Sequence, residues 1–219
     1  MTRILGVDGA RGGWLGALTR IDDVIGVDVV WLTFTSIAQA LALDADVVAV
    51  DMPIGLPVTG RRECDLLAKR ALGRAHSRVF LAPPRDVLAA TSYDDAAARH
   101  RAHADGHGVS VQTWNIVGKI REVDAVADDP RLVEVHPELS FARLAGEVLP
   151  SKHGPEGRPA RLRALARRWP GRPDVPPGLD GIDALAAAWS GERWLRGEAE
   201  SLPGVPPRDD LGRPMRIVV

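Results

Sequence analysis

Along the first third of the chain, apolar positions cluster without a helical period. Residues 2–7 are rich in Ile, Leu and Val and run into Asp8-Gly9-Ala10-Arg11-Gly12-Gly13, which predicts a buried strand entering a tight turn. Residues 14–19 and 24–32 read as two further strands separated by Asp22-Asp23, so the chain opens with three antiparallel strands. Residues 36–43 predict a short helix with Ile37, Ala40 and Leu41 on one face, capped by Thr35 or Ser36. The continuous apolar run at 46–50 predicts a central strand. It must stop at Asp51-Met52-Pro53-Ile54-Gly55-Leu56-Pro57, because two prolines and a glycine cannot continue a sheet.

The pattern then turns helical. Residues 62–74, 94–104 and 111–127 predict helices broken at Pro83-Pro84 and at 106–108, which together form a helical insertion at about 58–130. Residues 131–135 alternate as a strand, 140–144 form a short helix and 159–169 an Arg-rich one. Beyond the Pro- and Gly-rich residues 170–178, Ile182, Leu185, Ala186 and Trp189 recur at helical spacing and define a core-facing stripe. Residues 215–219 predict an edge strand. This order gives an α/β fold: a mixed sheet with antiparallel N-terminal hairpin strands, flanking helices and one insertion, in a single domain over residues 1–219.

Composition agrees with that picture. The 219 residues are 45% hydrophobic, enough for one substantial core, and no apolar run approaches the roughly 20 residues of a membrane span. No membrane partner is expected. The first residues match neither a secretory signal nor a transit peptide, and Cys64 is the sole cysteine; both predict a reducing, cytoplasmic location. A single cysteine excludes an internal disulfide and Cys-cluster metal sites, and Cys64 reads as a buried, inert thiol. Net charge is -1, yet residues 61–78 hold six Arg or Lys against Glu63 and Asp65, and residues 152–172 hold seven against Glu156. These basic segments beside an acidic body read either as a nucleic-acid or phosphate surface or as solvated helix faces.

Four carboxylates stand where they could share one site. Asp8 and Asp51 close two strands, and Asp180 and Asp183, three apart, occupy neighbouring rows of one helix face. If the two strands are neighbours, both aspartates emerge at the same sheet edge. Like charges that close raise one another's pKa values, and hard divalent cations, Mg²⁺ or Mn²⁺, would relieve them. Two such ions could drive in-line hydrolysis of a phosphodiester. Taken singly, each acid also has a structural reading as a turn or helix-start residue.

Other polar groups extend this set. Glu134, His136 and Glu138 alternate, so on a strand they would share a face, with Glu134 a further metal ligand and His136 a general base or substrate contact. Pro137 would end that strand, and Glu138 reads rather as a helix first-turn acid. Around one helical segment, Trp114 could stack on a base while Gln112, Asn115 and Lys119 bind edges or phosphate; Trp114 reads otherwise as a core anchor. Arg11, in the glycine-rich turn, and Arg62 could hold phosphate, with Arg61, Lys69, Arg70, Arg74 and Arg78 on the same segment. His100, His103 and His107 lack acidic partners at metal spacing. Trp169, Trp189 and Trp194 suit either a core or a homo-oligomer face.

These elements resemble the ribonuclease H-like fold, and residues 180–186 look like the final-helix motif of RuvC-type Holliday-junction resolvases. More closely, the chain resembles the family called domain of unknown function 429, described as predicted nucleases of that fold. The likeness rests on residues 6–14 and 51–57, on Arg62 to Asp65, on 79–83, on Gln112-Thr113-Trp114-Asn115-Ile116, on Glu134-Val135-His136-Pro137-Glu138 and on the final helix. It departs from the resolvase pattern at Asp51, where a glutamate is usual. What it implies is a metal-dependent nuclease acting on nucleic acid or a nucleotide phosphodiester, with Asp8, Asp51, Asp180 and Asp183 as ligands. Two other readings keep the fold: a non-catalytic nucleic-acid or protein binding module, and an ATP-binding phosphotransferase, for which the second glycine-rich phosphate turn is missing.

Overall fold

A computed structural model describes residues 1–22, 26–104, 106, 108–169 and 178–219. The chain divides into two compact units, one of Met1–Asp51, Asp129–Glu200 and Val218–Val219, the other of Met52–Asp128 and Ser201–Ile217. Among the described residues no helix is long and apolar enough to cross a membrane.

The first unit is α/β. β1 (Thr2–Ala10), β2 (Gly13–Asp22) and β3 (Gly26–Phe34) form an antiparallel meander, and β4 (Val47–Val50) and β5 (Leu132–Glu134) extend it in parallel, in the order β3-β2-β1-β4-β5. The first two strands are longer than their apolar runs, because the hairpin ladder continues to Ala10 opposite Gly13, and the third lies two residues later than expected. Gly12, at φ 79°, supplies the left-handed residue that this two-residue turn needs. All four residues of β4 are buried, as a strand covered on both faces requires.

Between β3 and β4 lies α1 (Ile37–Leu41), burying Ile37, Ala40 and Leu41. Ser36 stands at its N-cap without a side-chain bond; the Gln39 side chain instead accepts the Thr35 N–H at 2.9 Å. Arg131 reaches back from the start of β5 to the Leu41 and Leu43 carbonyls, satisfying acceptors that the end of a helix leaves open.

The late helix α7 (Asp180–Leu195) is enclosed rather than striped: every residue from Gly181 to Glu192 is buried. Its small residues permit this. A Cβ on Gly6 of β1 would lie 2.0 Å from the Ala184 carbonyl oxygen and 2.3 Å from the Ala188 nitrogen, and one on Gly191 would press on Ala49, Ile4 and Val47. Helices α5 (Pro137–Ala145) and α6 (Gly157–Arg168) pack on α7, and their Phe141 and Leu165 join Ile182, Leu185, Trp169 and Trp189 in one core. Trp194 is half-buried against the same cluster, so all three late tryptophans serve the core. Val218 bridges Val135, and Glu200 and Val219 exchange backbone hydrogen bonds.

The second unit is mostly helical: α2 (Glu63–Leu72), α3 (Tyr93–His103) and α4 (Val111–Asp124), with short 3-10 turns at Gly73–Arg78 and Arg85–Ala89. Ser92 and Ser110 cap α3 and α4. Val87, Ala90, Ala96, Ala97, Val109 and Val117 form one apolar cluster in it, with Leu88 and Trp114 against them. The expected insertion is joined here by the C-terminal stretch, because Arg85 pairs with Asp124, Asp209 and Asp210, and Arg213 with Asp124 and Asp128.

Arg62 departs from the expected phosphate-binding role. It is 1% exposed, donating through Nε to Asp65 at 3.2 Å and through Nη1 to the Ile54 and Gly55 carbonyls, while Asp65 also accepts the Ala82 N–H. A guanidinium so enclosed holds the 54–55 turn against α2 and cannot face a strand. Cys64, next to it in the chain, is buried as expected.

Two outcomes follow. Gly6→Ala should lower the free energy of urea unfolding by at least about 3 kcal/mol, the upper end for overpacking, since its contacts are helix backbone. Arg62→Ala leaves Asp65 buried and unpaired and should cost about 3–5 kcal/mol in the same measurement; an unchanged midpoint would return Arg62 to a surface role.

Candidate functional site

The parallel register of β1 and β4 creates the site. Val7 lies opposite Val50, and the Asp51 N–H donates to the Val7 carbonyl at 3.0 Å, so Asp8 and Asp51 leave neighbouring strands side by side. Asp8 lies within β1 rather than after it, paired with Leu15, and its Oδ1 accepts the Gly9 N–H at 2.7 Å. Because α7 lies close on β1, its first turn carries Asp180 and Asp183 to the same region, with Asp183 buried and Asp180 half-buried. Glu134 ends β5, buried.

The electrostatics show how closely these groups interact. Asp8 and Asp51 keep some solvent exposure, yet lost hydration is the largest influence on both. Burial and then the Asp183 charge raise the Asp51 carboxyl from 3.8 to about 8, with Glu134 and Glu138 adding to the rise and Lys152 opposing it. Asp8 is held well above the usual carboxylate range by burial, Asp51 and Asp183, against Lys152, with a smaller push from Asp180. Asp183 is raised by burial despite Lys152, whose ammonium donates to Asp183 Oδ2 at 2.6 Å. Burial works against the Lys152 charge, but Asp183, Asp8 and Asp51 hold that ammonium above the ordinary lysine value.

Other expected members are placed differently. The strand ends at Glu134, so Glu134, His136 and Glu138 share no strand face: His136 is the N-cap of α5, Pro137 its first residue and Glu138 a first-turn acid. Pro137 fits there because the first helical turn needs no N–H from it. Glu138 is ion-paired with the fully buried Arg161 at 2.5 Å. Arg11 is exposed in the hairpin turn. Gln112 and Asn115 are exposed on α4 and Lys119 half-buried there, while Trp114 packs edge-to-face on Tyr93 at 6.4 Å, as a core anchor. His103 faces Asp86 at 3.6 Å, and His107 lies outside the described residues.

Sequence reasoning missed Lys152 and Arg161. Both sit in the basic segment, but nothing in spacing singles out a lysine 31 residues from its acid. Among the described residues no three His, Cys, Asp or Glu side chains are gathered tightly enough to ligate one ion. The donor set still suits a hard divalent cation: oxygen ligands only, from three elements, carrying more negative charge than one ammonium offsets.

A pH dependence follows. The folded chain retains a proton on Asp51 that the unfolded chain has released between about 3.8 and about 8, so this group's contribution to stability falls as pH rises through that window. With chelator present, Asp51→Asn should melt above wild type at pH 8.5, and the gap should shrink toward pH 5.

The family model for a protein of unknown function, DUF429, matches residues 6–208, a span that includes Asp8, Asp51, Glu134, Lys152, Asp180 and Asp183. No curated protein and no solved structure matches the chain. With nearly its whole length inside that match, the chain belongs to the DUF429 family.

Proposed function

We propose that the chain is a divalent-metal-dependent phosphodiester hydrolase, a nuclease, with a ribonuclease H-like first unit. The strand order β3-β2-β1-β4-β5, three antiparallel strands extended by two parallel ones, supports the fold. The observation that carries the activity is the meeting of Asp8, Asp51 and Asp183, whose charges repel one another in a partly open site.

Asp8, Asp51 and Asp183 would hold Mg²⁺ or Mn²⁺, with Glu134 and Asp180 at the margin. The ion, when bound, would acidify a water and offset charge on a phosphate oxygen. The residues themselves supply rigidity. Asp8 and Asp51 are fixed by a hydrogen-bonded strand pair, and Asp183 by a buried helix and by Lys152. Such fixed carboxylates need little rearrangement to orient what they bind.

Cleavage of mixed DNA and RNA strands with Mn²⁺ should be detectable, and Asp8→Asn or Asp183→Asn should reduce it at least about 100-fold. Activity surviving both substitutions would remove this site. Because ligands must lose their protons to bind, Mn²⁺ should raise the melting temperature more at pH 8 than at pH 6; an equal rise, or none, would count against these carboxylates as ligands.

A further inference from the structure

Arginines tie the second unit together: Arg62, Arg85, Arg99 and Arg213 each pair with its carboxylates. Arg61, Arg70 and Arg74 do not. All three are exposed, and among the described residues none of them has an acidic partner. They share one stretch with Lys69 and Arg78, both half-buried, and across residues 61–80 only Glu63 opposes them, because Asp65 is spent on Arg62. Local structure turns this charge outward. The helix α2 buries Cys64, Asp65, Ala68 and Leu72, so Arg70 stands on its opposite side. Gly73, at φ 50°, ends the helix, and the 3-10 turn that follows buries Ala75 while Arg74, His76 and Ser77 stay exposed. The Lys69 ammonium donates to the His76 carbonyl at 3.1 Å, which fastens the turn to the helix. Two residues beyond the turn, the Phe80 ring is 48% exposed.

We propose that the outer side of α2, the 3-10 turn after it and Phe80 form a docking surface for single-stranded nucleic acid. Arg61, Arg70 and Arg74 meet phosphates, and the Phe80 ring stacks on a base. A duplex hides its base faces in its own stack, so the ring selects a single strand. Carboxylates of an acidic protein would satisfy the guanidiniums but give the ring nothing flat to stack on. The other basic stretch lacks this combination: Arg158, Arg163 and Arg167 are exposed on α6, but Arg168 is ion-paired with Glu192 and Trp169 is only 3% exposed. The surface goes beyond the carboxylate chemistry and needs no metal ion.

Fluorescence anisotropy of the full chain, in chelator, with labelled mixed-sequence single strands of DNA and of RNA tests this. Wild type should bind at least one of them, and more tightly than a duplex of the same sequence. Replacing Arg61→Gln, Arg70→Gln and Arg74→Gln together should weaken binding at least about tenfold and lower its salt slope by roughly 2. Phe80→Ala should weaken it at least about fivefold with the slope unchanged, a pattern that unfolding would not give. Arg158→Gln, Arg163→Gln and Arg167→Gln together remove the same charge from α6 and should leave affinity nearly unchanged. If circular dichroism shows the first triple variant unfolded, Arg74→Gln alone replaces it, with a slope lower by roughly 0.7. No binding, a duplex bound as tightly, no effect of Phe80→Ala or of the first triple variant, or an equal loss from the α6 variant would overturn the proposal. Displacement of the strand by polyglutamate at equal charge would overturn it in favour of an acidic protein partner. Binding as expected without any cleavage in Mn²⁺ would leave this surface standing and count against the carboxylate reading alone.

Discussion

How closely α7 approaches the sheet sets the geometry of the first unit. Gly6 on β1 and Gly191 on α7 remove the side chains that would hold the two layers apart, and Ala184 and Ala188 present helix backbone to the strand. A helix lying this near is enclosed along most of its length, which explains why its sequence is small and apolar on every face rather than on one stripe. The same closeness carries Asp183 to the ends of β1 and β4. Were larger residues to push α7 outward, the core and the acidic site would loosen together.

Gathering acids in this way costs stability, and the surrounding charges show how that cost is contained. Asp8 is driven toward the protonated form by lost hydration, Asp51 and Asp183, and Asp51 by lost hydration and Asp183, while Lys152 draws both back. Beside the half-buried pair of Lys152 and Asp183 stands a buried one, Arg161 with Glu138, whose guanidinium also ties down the connection that carries the lysine. A buried ion pair adds little net stability compared with apolar packing, but breaking one is severe, so it fixes geometry well. In this unit, ion pairs position the site while α7 and the sheet supply the core.

The second unit uses charge differently. Beside an apolar cluster of alanine and valine, buried or half-buried arginines tie its segments together. Arg62 joins the 54–55 turn to α2, and Arg85 with Arg213 joins the C-terminal stretch to the end of α4.

Much of this was legible in the chain. Strand-forming runs that end in Asp-Gly and Asp-Met-Pro mark where sheet gives way to turn, so Asp8 and Asp51 could be placed at one edge once their strands were taken as neighbours. The spacing of Asp180 and Asp183 put them in one helical turn. Local alternation misled at His136, which stands at the start of a helix and not on the strand face of Glu134, because Pro137 opens a helix as readily as it ends a strand. Arg62 was equally ambiguous, since an arginine three residues before an aspartate looks the same exposed or buried. Residue pattern and local backbone preference determined the elements, their order and the acids at their ends, because those depend on neighbours in sequence. Which arginine is enclosed, and that Lys152 meets Asp183, depended on contacts between segments far apart in the chain, and only the tertiary structure decided them.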